Sequence, residues 1–466
     1  MKKYKVTIIT IILFAIAICL ALFIGDIGTN LESFWAIQRS QGILLSDHMI
    51  IGNLNATILN VLITVGLNLI IVKSFKVKLE GPVIAGLLTI AGFAFIGKNV
   101  WNALPIYLGV ITYAKFKKVE MSSLMAIMLL SSGISPLVSY LVNGYGMIDA
   151  LPYFIARLPI AIGSGMVAGF LIPIVYIQAL KFHNGMNLYN TGFTMGLIAV
   201  LAHGILRSLG VAVRFVPAPI RDSYGNLVYP DYTWQLFLII GLISITLIIL
   251  AYCLDSKVHQ QYKKILSSTG ALVSNFPKAL GYPVVFLNMG IMGLVVLTIA
   301  FPLILILQIP FLGVIAAASL TIIGFAAFGK HPRNTIPIMV GTLIGLTIIV
   351  LINSNQTLLN ADNSPNGSLI NMQVLVSGVF FATCLAPLSK EYGIIQGIIA
   401  GIVHMLIVMI ARSFQGGFDL YNNGFAAGFV AGILVPIFET FRKDDKLEVD
   451  VVAPIEENIA TEIEST

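Results

Sequence analysis

A chain of 466 residues that is 58% hydrophobic and only 10% charged, with a mean hydropathy of +0.94, carries too few charges to clothe a soluble globular surface. Its net charge of +6 comes from short clusters at the ends of apolar runs, a topology signal that implies no nucleic-acid partner. Cys19, Cys253 and Cys384 lie scattered in apolar surroundings, so neither a disulfide framework nor a metal centre is expected, and no cofactor motif is present.

Apolar stretches of about 20 residues recur from Thr7 to Glu439, long enough for helices to cross a bilayer, and the alternation of a membrane barrel is missing. The first, Thr7 to Gly25, follows Lys2, Lys3 and Lys5 and lacks a small-x-small cleavage site, so it reads as an uncleaved helix. Further segments are expected at Met49–Val72, Pro82–Gly97, Trp101–Tyr113, Met121–Val142, Pro152–Leu180 and Leu188–Val213, then Trp234–Cys253. Pro283–Leu307, Phe311–Phe328, Asn334–Leu351, Asn371–Leu388, Tyr392–Ile410 and Leu420–Glu439 complete an all-α membrane architecture of about fourteen segments. Pro82–Gly97, Trp101–Tyr113 and Asn371–Leu388 are short, which suits either re-entrant helices or short kinked spans.

The phrase "HNGMNLYNTGFTMG" (His183–Gly196) returns as "QGGFDLYNNGFAAG" (Gln415–Gly428), with Leu188 and Leu420 separated by 232 residues (420 − 188). The same offset aligns "LTIAGFAFIGKNVWNALPIYLG" from Leu88 with "LTIIGFAAFGKHPRNTIPIMVG" from Leu320, and Ala168-Gly169 with Ala400-Gly401, so the chain is an internal duplication. Placing "KSFKVK", "KFKK", "HQQYKK" and "RKDDK" inside and "NSNQTLLNADNSPNGS" outside sets equivalent segments an odd number apart, which inverts the second copy. The expected organisation is an anchor helix and loop over 1–48, a repeat over 49–213 and a connector over 214–282. An inverted repeat over 283–440 and a disordered acidic tail over 441–466 follow. The inferred location is a bacterial cytoplasmic membrane with both termini cytoplasmic.

Tyr189, Asn190, Tyr421 and Asn422 are the leading candidates for contact with a solute, because an amide deep in a helix bundle must find hydrogen bonds. The alternative for these pairs is an interfacial anchor or a cap. Asn187 and Asp419 occupy equivalent positions, an amide in one copy and an acid in the other, which gives either a proton or cation site or a helix cap. Lys98 and Lys330, with Asn102 and Asn334, are placed to present donors to a polar or anionic solute, although lysines at membrane boundaries more often snorkel to water. His203 and His404 have no histidine counterparts, and Ser135 in "SSGISPL" is a faint enzyme signal without a partner readable from spacing.

Gly185, Met186, Tyr189 and Asn190, then Gly417, Phe418, Tyr421 and Asn422 after Pro387 in "APLSKEYG", resemble the Gly-Leu-x-x-Tyr-Asn signatures of urea transporters. That family carries Asn-Pro-Trp where this chain has Ala386-Pro387-Leu388, and the similarity covers about a fifth of the sequence. The chain as a whole also resembles a family of bacterial polytopic membrane proteins catalogued only as a domain of unknown function. The first resemblance implies a midplane path for urea or a small amide between inverted repeats, with Pro387 breaking a helix beside it. A transporter or channel, not an enzyme, is therefore expected, with a small polar solute, the lipid bilayer and optionally a second copy of the chain as partners. Passive conduction is expected over ion coupling, because no acid recurs in both copies within the spans. The alternatives are an ion-coupled transporter of another small metabolite, for which Asp419 is the one candidate acid, and a membrane enzyme or a scaffold.

Overall fold

The computed structural model describes residues 17–442 apart from 18–19, 22–23, 45, 145–147, 212, 214–229, 273, 308 and 354–374. Nearly all of the expected first helix, the acidic tail and most of the two expected outside loops lie outside the described residues. Among the described residues every regular element is helical, and nine helices are long and apolar enough to cross a membrane. The chain is a multi-pass, all-α membrane protein.

The first copy contains α1 (Ile27–Gln38), α2 (Leu54–Ser74), α3 (Gly81–Phe93), α4 (Leu104–Lys117), α5 (Met121–Ser131), α6 (Ser135–Asn143), α7 (Leu158–Phe182) and α8 (Asn190–Ser208). A linking span, α9 (Thr233–Leu254), leads to α10 (Val258–Ser267), α11 (Tyr282–Leu307), α12 (Gly313–Phe325) and α13 (Pro332–Asn353). The chain closes with α14 (Ala386–Glu391), α15 (Ile394–Gln415) and α16 (Asn422–Thr440).

Among the described residues, two of the expected segments are too short to cross as single straight helices. At 1.5 Å per residue, the 13 residues of α3 and of α12 reach only about 20 Å, short of a hydrocarbon core of about 30 Å. In the first copy α3 and α4 form a hairpin whose outer ends carry "KSFKVK" and "KFKK", so it enters and returns on the basic side. Its ends are set locally: Pro82 and Pro105 occupy first turns, where no amide hydrogen is needed, and Lys118 closes α4 at φ 56°. Met121–Val142 is one broken crossing. α5 tightens into a 3-10 turn over Ser132–Ile134, and Pro136 starts α6. The second copy repeats that break with a 3-10 turn over Ala382–Leu385 and Pro387 at the start of α14.

Hydrogen bonds show the duplication more completely than the sequence does. The Leu188 amide donates to Cys384 O at 2.9 Å, and the Leu420 amide donates to Gly133 O at 2.9 Å. Leu188 and Leu420 keep the offset of 232, whereas Gly133 and Cys384 are 251 apart (384 − 133), so the copies differ by an insertion before the break and a compensating deletion after it. Asn60 Nδ2 donates to Ala94 O and Lys98 O, both at 2.9 Å, and Asn288 Nδ2 donates to Ala326 O and Lys330 O, both at 2.7 Å. Here the offset is 228 (288 − 60), one helical turn short of 232. Asp47 Oδ2 accepts from the Gly313 amide at 2.7 Å, and Asn275 Oδ1 accepts from the Gly81 amide at 3.1 Å, so each copy caps the short helix of the other.

A two-fold relation between copies requires equivalent helices to meet each other. A Cβ on Gly92 would fall 2.6 Å from Ala317 O, and one on Gly324 would fall 2.8 Å from Leu88 Cβ, so α3 and α12 pack with opposite polarity. Their antiparallel contact is the inversion that the charge pattern required. α8 and α16 likewise cross where Gly192 meets Tyr421 and Gly424.

Asn288 serves both main-chain carbonyls of the turn that follows α12, and Asn288→Leu would leave both without this donor in a buried place. The expected loss is about 3 kcal/mol, read as a lower melting temperature in detergent. An unchanged melting temperature would mean that the turn holds itself.

Candidate functional site

The turns after α3 and α12 carry Lys98 and Lys330 into the interior, where both are fully buried. Snorkelling, the commoner fate of a boundary lysine, does not occur, because each turn sits at the inner tip of a helix too short to cross. Lys330 Nζ donates to Tyr189 Oη at 2.6 Å and to Thr383 Oγ1 at 2.7 Å. Lys98 Nζ donates to Tyr421 Oη at 3.2 Å and to Ser132 Oγ. Each lysine thus joins a hydroxyl at its own copy's helix break to a phenol of the other copy. Among the described residues no carboxylate forms an ion pair with either lysine. The ammonium groups rest instead on oxygen lone pairs and on the tyrosine faces, with Lys330 Nζ 4.3 Å from the Tyr189 ring centroid and Lys98 Nζ 5.5 Å from that of Tyr421.

The same phenols wall a small cavity on the two-fold axis. Around it stand Thr89 and Thr321, Phe93 and Phe325, Tyr189 and Tyr421, Thr191 and Asn423, each pair being equivalent residues, together with Phe381 and Leu130. About 20 Å³ is open to the centre of a water-sized sphere, space for one or two water molecules. Phe93 and Phe381 stack across it with centroids 5.4 Å apart and planes 29° from parallel. Phe93 meets Tyr421 edge-on at 4.5 Å, and Phe325 meets Tyr189 edge-on at 4.7 Å. Thr321 is among the wall residues, and its buried Oγ1 meets no hydrogen-bond partner among the described residues. The N-termini of α8 and α16 begin directly after the two tyrosines. The N-terminal ends of α8 and α16 lie beside the aromatic-walled cavity, and positive helix ends disfavour a cation there.

A known family's sequence profile matches residues 28–208 and 254–440, most of the chain and both copies. The chain belongs to the DUF1576 family. It is described as proteins of unknown function, so membership supplies no substrate. Comparison with curated proteins and with solved structures gave no match.

In this DUF1576 member the sequence candidates separate into two groups. Tyr189 and Tyr421 wall the cavity, and Lys330 and Lys98 hold their hydroxyls from outside that wall. Asn190 turns away, sharing a hydrogen bond with His183 Nε2 at 2.9 Å and donating to Tyr176 O at 3.0 Å. Asn422 borders a second, smaller pocket with Asn423, Phe381 and Leu420. Asn102 and Asn334 lock the lysine turns, donating to Gly97 O at 3.0 Å and to Gly329 O at 2.9 Å. Asn187 and Asp419 accept from the Tyr189 and Tyr421 amides at 3.0 and 2.8 Å, just ahead of α8 and α16. Pro387 is buried at the restart after the helix break.

Several wall residues escaped the sequence reading. Thr89, Phe93, Thr321 and Phe325 lie inside the two phrases already aligned at 232, so that alignment held the signal without showing which side chains face inward. Ser132 and Thr383 could be paired only once the insertion before the helix break was known.

Proposed function

We propose that the protein moves a small polar solute across the cytoplasmic membrane, both termini inside, through the cavity where the inverted copies meet. The observation that carries this reading is the cavity itself, two-fold symmetric and placed where two broken helices and two short helices end. Broken or short helices are tolerated within a membrane where they line a protected path. Urea or a similar small amide is the first solute to test, on the resemblance of Tyr189-Asn190 and Tyr421-Asn422 to the urea-transporter signatures. The enzyme alternative asked for a reactive neighbour to Ser135, His203 or His404. His404 Nε2 meets Asn423 Oδ1 at 3.1 Å, His203 Nδ1 meets Phe414 O at 2.9 Å, and Ser135 Oγ meets no partner among the described residues.

The test is stopped-flow uptake of urea and a panel of small amides into proteoliposomes. Thr191→Leu adds bulk to the cavity wall and is expected to slow uptake at least tenfold while the protein stays folded. Flux in the wild type that Thr191→Leu leaves intact would move the path elsewhere. No flux of any tested solute from folded wild type would sink the urea and amide reading.

A further inference from the structure

Among the buried positions at which the two copies differ is the one two residues before each cavity tyrosine. In the first, Asn187 Oδ1 accepts from the Tyr189 amide at 3.0 Å while Nδ2 donates to Gly424 O at 2.9 Å. In the second, Asp419 Oδ1 accepts from the Tyr421 amide at 2.8 Å, and Oδ2 takes the place of the amide nitrogen. An ionised carboxylate has no hydrogen to give there. Oδ2 instead accepts from Gln415 Nε2 at 3.0 Å, and the other end of that amide, Gln415 Oε1, meets no donor among the described residues. Gln415 and Asp419 are both fully buried, and no ion pair involves Asp419 among the described residues.

We propose that Asp419 binds and releases a proton during each transport cycle, with Gln415 as the switch that senses it. When Oδ2 is ionised, Gln415 Nε2 donates to it. When a hydronium ion delivers its proton, an O–H bond forms on Oδ2 and water is left behind. The Gln415 amide then turns over, and its unpartnered Oε1 accepts the new hydroxyl. The proton returns to water by the reverse step. Asp419 stands two residues before Tyr421, whose ring walls the cavity, so the two states are felt at the solute path.

Among the described residues no charged group pairs with the carboxylate. Tyr421 follows on its own stretch, with Lys98 bonded to the far end of that phenol and Tyr107 beyond. Tyr140 from α6 stacks edge-on against Phe418 at 5.4 Å. From α8, the half-buried His203 lies over Gly416, where a Cβ would fall 2.7 Å from its Cδ2, one residue after Gln415. Passive conduction was expected because no acid recurs in both copies. One acid suffices for one proton, and Asn187 shows that a neutral group fits the equivalent buried position in the other copy.

The proposal rests on the transport reading for its coupling arm only. In the purified full-length protein, pH-difference infrared spectra are expected to contain a protonated-carboxyl band that Asp419→Asn removes and Asp47→Asn keeps. In proteoliposomes, an imposed pH gradient is expected to drive accumulation of the transported solute in the wild type and in Asp47→Asn, and not in Asp419→Asn. A melting temperature for Asp419→Asn close to that of the wild type separates lost coupling from lost fold. A spectrum without a band sensitive to Asp419 overturns the proton site. The band together with flux that ignores the gradient overturns the coupling while sparing the transport reading. The band with no flux of any solute overturns the transport reading and keeps Asp419 as a proton site.

Discussion

Gly169→Ala and Gly401→Ala are each expected to lower the stability of the protein by about 3 kcal/mol, a loss set by backbone contact. A Cβ on Gly169 would fall 2.0 Å from Ile106 O, and one on Gly401 would fall 2.3 Å from Ile338 O. The partner glycines leave no slack, since a Cβ on Gly109 or on Gly341 would come within 2.1 Å of Met166 O or Ile398 O. In each copy two helices, α4 with α7 and α13 with α15, touch backbone to backbone, so one added methyl forces both to move. Gly163→Ala and Gly204→Ala are the controls, for nothing lies within 4 Å of an added Cβ at either. There a helix-interior alanine should hold or raise the melting temperature. Equal melting temperatures for Gly169→Ala and Gly204→Ala would show that these helices slide apart freely.

The same glycines show how far the sequence could be read. Ala168-Gly169 and Ala400-Gly401 signalled the duplication at 232, because small residues at a close contact cannot drift in either copy. The inversion was legible from charge clusters alone, since "KSFKVK" and "KFKK" mark both outer ends of the α3–α4 hairpin whether it crosses or returns. The number of crossings was not. Hydropathy rates α3 as apolar as a span, and only its proline start and its stop at Phe93 reveal that it is too short. At the site, Tyr189 and Tyr421 were legible as a repeated motif, but the neighbouring Asn190 points away to His183, a direction fixed by helix phase and by a contact with the C-terminal end of α7. The lysines were legible as a pair and their burial was not, because the hydroxyls that receive them, Ser132 and Thr383, lie at the shifted offset of 251 (383 − 132).

Lys330→Met and Tyr189→Phe are each expected to reduce solute flux at least tenfold, and in combination to lose less than the sum of the two. A hydrogen bond to a buried charged group contributes about 1.5–3 kcal/mol, and 1.4 kcal/mol corresponds to a factor of ten. The lysine ties the second copy's helix break, at Thr383, to the phenol of the first copy's cavity wall, at Tyr189, alongside the main-chain bond from Leu188 to Cys384, so removing either end frees the same phenol ring. Double-mutant cycles measured on thermal stability should therefore return a coupling of about 1.5 kcal/mol or more for Lys330 with Tyr189. The equivalent pair, Lys98 with Tyr421, is longer at 3.2 Å against 2.6 Å, and its ammonium stands 5.5 Å against 4.3 Å from the ring. Its coupling should be smaller, which makes the first copy's tyrosine the more firmly held wall and the second copy's the more mobile. Tyr421 is also the one beside Asp419, so the looser wall lies next to the acid, where a change of protonation has most freedom to move it. Additive losses at Lys330 and Tyr189, or a larger coupling at Lys98 and Tyr421, would remove the lysine links from the path's mechanics.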